Sequence, residues 1–176
     1  MKYLAYIFFF LFLVYLQPKA QIIRGELQAA GLTCAMCSNA IYKSLKTLKF
    51  IREIEVDLNR SSFNFNFKQG EEIDFDAIRK KVEDAGFSVS LFKFNADFSG
   101  YDLKDKQEII FNHSRYCLLN AANLSSPIKG TFNVINRGFL SDKDYRKYAA
   151  LIKEKGCSSQ SAEMIYYIMI SDKIND

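Results

Sequence analysis

The sequence predicts an α+β protein in two units: β-α-β-β-α-β over residues 22–92, then a second small unit, richer in strand than in helix, over residues 93–176. Three observations predict it. Apolar residues alternate with polar ones at 23–29, 54–58, 63–67 and 87–91, the period of a half-buried strand. They recur at three- and four-residue steps at 37–48 and 75–85, the period of one helix face. Glycine, asparagine, aspartate and serine stand between most of these stretches, where turns need them.

Ile23, Gly25, Leu27 and Ala29 form the first strand, and Cys37, Ile41, Leu45 and Leu48 line the inner face of the first helix. Ile54, Val56 and Leu58 alternate with Glu55 and Asp57; a turn at Asn59–Ser62 then leads to Phe63, Phe65 and Phe67, which alternate with Asn64 and Asn66. This pair reads as a hairpin. Gln69-Gly70 breaks the pattern, Asp74 caps a helix whose inner face is Phe75, Ile78, Val82 and Ala85, and Gly86 ends it. Phe87, Val89 and Leu91 close the unit as a strand. The order is that of the ferredoxin-like arrangement, with two helices on one face of a four-stranded antiparallel sheet.

Past residue 93 the pattern is less regular. Glu108–Asn120 and Gly130–Leu140 are rich in β-branched and aromatic residues, Ser141-Asp142 opens a helix over Asp144–Lys155, and Glu163–Ile170 reads as a strand. His113 and Cys117 are placed on one strand, where four residues span roughly 13 Å, too far for one ion. Met164 and Met169, five apart, face opposite sides of their strand.

The N-terminus carries Lys2, an unbroken apolar run of 14 residues from Tyr3 to Leu16, and Ala20 before Gln21. A run that short falls below the roughly 20 residues a membrane-spanning helix needs. Residues 1–20 are therefore expected to be a signal peptide and the protein to be exported, periplasmic or extracellular; an uncleaved anchor over residues 3–16 is the alternative. Loss of Lys2 and Lys19 takes the net charge from +4 to +2. Charges of both signs are interspersed along the chain, which argues against a nucleic-acid partner.

Four cysteines stand at 34, 37, 117 and 157. Cys34 and Cys37 form a Cys-x-x-Cys between the first strand and the first helix, where the helix N-terminus favours thiolates. Two thiolates on one loop suit a soft ion in low coordination number, Cu(I) before others, and exclude Mg and Ca. A closed zinc site is not expected, because the chain has no second Cys-x-x-Cys and no pair of histidines. An inert or regulatory disulfide, a redox couple and an interaction module that has lost its metal are the other readings of this pair. A thioredoxin-type site is disfavoured, since the chain has no Trp and no proline placed for a cis bond beside the pair. Cys117 and Cys157, some 40 residues apart, are expected to form a structural disulfide, buried thiols being the alternative. No nucleophile with its base, phosphate-binding glycine loop or carboxylate pair is recognisable, so neither an enzyme nor a small-molecule substrate is expected.

Gly31, Thr33, Cys34 and Cys37, with Leu32 where methionine is usual, resemble the Gly-Met-Thr-Cys-x-x-Cys of the heavy-metal-associated domain, and Asp84-Ala85-Gly86-Phe87 resembles that family's closing segment. This module is found in copper chaperones and at the N-termini of metal-transporting P-type ATPases. The resemblance covers residues 22–92 and implies Cu(I), or another soft ion, held by Cys34 and Cys37 and passed by thiolate exchange to or from a partner protein. It also implies that Thr33 and Phe87 lie beside the metal loop, with Phe87 shielding it, and that Leu32 packs beneath it.

Overall fold

Strand β1 (Gln21–Ala30) leads into helix α1 (Ala35–Leu45), the hairpin β2 (Ile51–Asp57) and β3 (Ser62–Phe67), helix α2 (Phe75–Asp84) and strand β4 (Ser88–Asp97). The structure, a computed structural model, describes residues 21–32, 34–99, 108–111, 113–120, 128–155, 157 and 164–173. The expected leader, residues 1–20, lies outside them. Beyond β4 come the hairpin β5 (Glu108–Phe111) and β6 (Ser114–Leu118), strand β7 (Lys129–Val134), helix α3 (Asp142–Lys155) and strand β8 (Ile165–Lys173).

Local chemistry explains the element ends. The Asp74 carboxylate accepts the Ala77 N–H at 2.9 Å and caps α2, and Gly86, at φ +88°, turns the chain out of it. Ser141 does for α3 what Asp74 does for α2: its hydroxyl accepts the Asp144 N–H at 3.1 Å.

The strands form one sheet in the order β2-β3-β1-β4-β7-β8-β6-β5. Its first four strands have the ferredoxin-like order. Strand β4 pairs antiparallel with β1 on one side and, through Lys93–Asp97, with β7 on the other. The expected division at residue 92 thus falls inside a strand that both halves share. Among the pairings, β6 with β8 is parallel.

Alternation along the strands assigns the helices to faces. Tyr116, Leu118, Tyr166 and Ile168 join the cluster that holds Ile41 and Leu45 of α1 and Phe75, Ile78 and Val82 of α2. Their neighbours Cys117, Leu119, Tyr167 and Met169 join a second cluster with Tyr145, Tyr148, Leu151 and Ile152 of α3. Adjacent residues of a strand point to opposite faces, so α1 and α2 cover one side of the sheet and α3 the other.

Phe75 stands where the halves meet. It is fully buried, and its ring centroid lies 4.8 and 4.9 Å from those of Phe92 and Phe94, 5.1 Å from Tyr166 and 6.0 Å from Tyr116. Beside it the Tyr166 hydroxyl donates to the Asp76 carboxylate at 2.9 Å and accepts the Asp76 N–H at 3.3 Å, ninety residues away in sequence.

Burial, more than any neighbour, holds the Tyr116 and Tyr166 phenols protonated well above the usual tyrosine range. In the unfolded chain both ionise near pH 10, while the folded chain keeps both protons. Stability is therefore full below about pH 10 and should fall above it, by roughly 2–3 kcal/mol per pH unit for the two groups together. Urea unfolding at pH 9, 10 and 11 measures this. In Y116F/Y166F the decline should flatten.

The strand expected to carry both His113 and Cys117 is instead a hairpin, β5 and β6. His113 sits in its turn at φ +59°, a left-handed conformation in which histidine is enriched, with its side chain 88 % exposed and Nδ1 3.6 Å from a Glu72 carboxylate oxygen. His113 and Cys117 therefore do not share a strand, and the histidine points to solvent.

Candidate metal site

The loop after β1 turns at Gly31, whose φ of +81° only a residue without a Cβ takes readily. Leu32 packs against the core beneath it. Helix α1 begins at Ala35, inside the Cys-x-x-Cys, because Cys34 supplies an N-cap: its sulfur accepts the Cys37 N–H at 3.3 Å. A serine, threonine or aspartate oxygen usually plays that part. With Cys34 at the cap and Cys37 three residues on, both side chains face one point at the helix N-terminus, and their Sγ atoms are 2.6 Å apart.

This placement acts on the thiol chemistry. The Cys37 side chain first, then the Cys37 backbone N–H, hold the Cys34 thiol below its ordinary range against the opposing effect of burial, with a lesser contribution from the Met36 N–H. A thiolate at Cys34 is both a metal ligand and a nucleophile. Cys34 is exposed and Cys37 half-buried. A hollow of about 170 Å³ beside Cys34 is lined by Leu32, Ala35, Ser38, Leu58 and Ser61. Among the described residues, no group of three or more His, Cys, Asp or Glu side chains is arranged to hold a metal. What the loop offers is two cysteine sulfurs side by side, Cys34 exposed and Cys37 half-buried.

The other expected residues are placed as follows. Thr33 lies outside the described residues. Phe87 follows Gly86, is half-buried against the main core, and precedes Ser88, the register partner of Ala30. Since Ala30 directly precedes Gly31, Phe87 stands at the metal-loop end of the sheet. Cys117 and Cys157 are joined, with Cα atoms 5.9 Å apart, and the Cys157 N–H points at the Cys117 sulfur at 3.0 Å. Strand β6, which bears Cys117, is four strands from β1, or roughly 19 Å across the sheet, so the two cysteine pairs are separate. Met164 is exposed and Met169 packs against the α3 cluster.

The bond between Cys117 and Cys157 closes a loop of 40 residues under α3. In the chain-entropy account such a closure contributes about 4 kcal/mol. The double variant C117A/C157A should unfold at lower urea with a loss of about 3–4 kcal/mol, while its Cys34–Cys37 site keeps its thiol reactivity.

Residues 26–88 match the family model of the heavy-metal-associated domain, so this part of the chain carries that domain. A copper-transporting ATPase of Helicobacter pylori is 40 % identical over 83 residues, 46 % of this chain and 11 % of the relative. A probable copper-transporting ATPase of Arabidopsis thaliana is 33 % identical over 78 residues, 43 % of this chain and 8 % of the relative. The chain thus spans about a tenth of the length of these relatives. Among solved structures, the yeast copper transporter domain is 28 % identical with a TM-score of 0.34, covering 37 % of this chain and 88 % of its own.

Proposed function

We propose that this protein binds one Cu(I) ion between Cys34 and Cys37 and passes it to or from another protein by thiolate exchange, as an exported carrier rather than an enzyme. The observation that carries the reading is the pair of cysteine sulfurs brought together at the cap and third position of a helix N-terminus, Cys34 exposed and Cys37 half-buried. Soft thiolates select Cu(I), and two of them leave the ion room to accept an incoming thiolate. In the transfer one Cu–S bond forms for each that breaks, and the ion keeps its charge. The heavy-metal-associated domain at residues 26–88 and its copper-transporting relatives support the choice of metal.

Export is supported by the short apolar run at Tyr3–Leu16 and by the Cys117–Cys157 bond, which persists in oxidising compartments. N-terminal sequencing of the mature protein should begin near Gln21, and an intact Met1 in membrane fractions would make residues 3–16 an anchor instead. Titration of the reduced protein against a chromophoric Cu(I) chelator should give one ion per chain. Failure to compete with the chelator at any ratio sinks the copper reading and leaves the interaction module.

A further inference from the structure

A cleft of about 440 Å³ lies where α2, the connection from β7 to α3, α3 itself and the start of β8 meet, and it shares no lining residue with the hollow beside Cys34. That volume is in the range in which proteins hold small organic molecules. One wall is the turn Asn136–Phe139. The Phe139 N–H donates to the Asn136 carbonyl at 3.1 Å, and Gly138, at φ +90°, takes the position of such a turn that requires a left-handed residue. A Cβ on Gly138 would stand 3.0 Å from Arg79 Cδ, so the turn lies directly against α2. The Asn136 side chain ties the same turn to β8: its Oδ1 accepts the Tyr167 N–H at 2.6 Å and its Nδ2 donates to the Ile165 carbonyl at 2.7 Å.

The pinned turn presents one free cation. Arg137 is exposed at its corner, lines the cleft, and has no charged or hydrogen-bonding partner among the described residues. Arg79, the other guanidinium of the lining, is already engaged: it binds Asp76 at 3.0 Å and Glu83 at 2.7 Å and lies over the Phe139 ring. Tyr145 and Tyr167 also line the cleft, and neither phenol has a hydrogen-bond partner among the described residues. Ile152 and the exposed Met164 add apolar surface. One unpaired guanidinium in such surroundings suits a monoanion, whereas a dianion such as phosphate would meet the Asp76 carboxylate in the same lining.

We infer that this cleft binds an organic acid, a single carboxylate on an apolar or aromatic body, as a second site independent of the cysteine pair. The planar fork of Arg137 matches a carboxylate through two parallel N–H···O bonds. The phenols of Tyr145 and Tyr167 supply further donors, and the body of the ligand lies against Ile152, Met164 and the tyrosine rings. A free acid and the C-terminal carboxylate of a protein chain ending in an apolar residue offer this same chemistry. Copper has no part in it.

The test uses the full protein without added metal and follows its backbone amides by NMR. Phenylacetate should shift the Asn136, Gly138 and Tyr145 amides saturably, and phenylacetamide, the same body without the charge, should bind about tenfold more weakly. The variant R137Q should bind the acid no better than the amide while keeping the parent's urea midpoint, since Arg137 holds no described side chain in place. M164E, which sets a carboxylate at an exposed position of the lining, should weaken binding of the acid and not of the amide. A short peptide ending in phenylalanine with a free carboxylate carries the same group. If it binds more tightly than phenylacetate, the natural carboxylate is a chain terminus; if more weakly, it is a free acid; either result supports the site. Equal binding of acid and amide, unchanged affinity in R137Q, tighter binding of inorganic phosphate than of phenylacetate, or no saturable shift at the cleft amides overturns the inference. A protein that binds no Cu(I) at Cys34 and Cys37 would defeat the carrier reading and leave every one of these outcomes as it stands.

Discussion

Replacing Cys34 or Cys37 by serine is expected to weaken Cu(I) binding by the reduced protein at least about a hundredfold. Loss of a partner that merely orients a ligand costs roughly 10–100-fold in metal affinity, so loss of one of two ligands should reach the upper end of that range or pass it. Serine is close in shape, but its hydroxyl is a hard, neutral donor that a soft ion does not favour. At Cys34 the replacement residue matters in a second respect. Cys34→Ser keeps an N-cap acceptor for the Cys37 N–H and should leave the stability of α1 nearly unchanged, whereas Cys34→Ala removes the cap and should cost about 1 kcal/mol. Chelator competition and urea unfolding on the same samples separate lost ligation from lost folding. A C34S/C37S protein that binds Cu(I) as tightly as the parent would place the metal elsewhere.

Phe75→Ala should be among the most destabilising single substitutions in the chain, at about 3–5 kcal/mol. The ring touches Phe92 and Phe94 on β4, Tyr116 on β6 and Tyr166 on β8, so its removal opens a cavity walled by both halves. The loss should therefore appear equally in probes of either half, as one shifted cooperative transition in circular dichroism and in tyrosine fluorescence. A loss below about 1 kcal/mol, or two separate transitions in the parent, would show that the halves stand independently.

The element sequence of residues 22–92 was open to direct reading because each element there has an amphipathic period and a marked end. Phe75, Ile78 and Val82 repeat at helical steps between a capping aspartate and a left-handed glycine, and the three phenylalanines of β3 alternate with Asn64 and Asn66. The start of α1 was harder, since nothing in the letters says that a cysteine sulfur takes the capping place. Pairing was the least accessible property. Lys93–Asp97 continue the alternation begun at Ser88, but their partner, β7, is more than thirty residues away, and a strand's period does not name its neighbour. Likewise Tyr116 and Tyr166 carry no local mark of being adjacent in a parallel ladder.

The sheet order sets a timetable for assembly. Strand β8 lies between β7 and β6, so the β5–β6 hairpin has no link to the rest of the sheet until residues 165–173 have been made. Strands β2, β3, β1 and β4 hydrogen-bond among themselves and can pair first, although Phe75 stays partly uncovered until Tyr116 and Tyr166 arrive. The later strands must wait with β7 and β6 each showing an open edge toward a gap one strand wide, and a chain that stalls before residue 165 would leave that gap for another molecule's strand to enter.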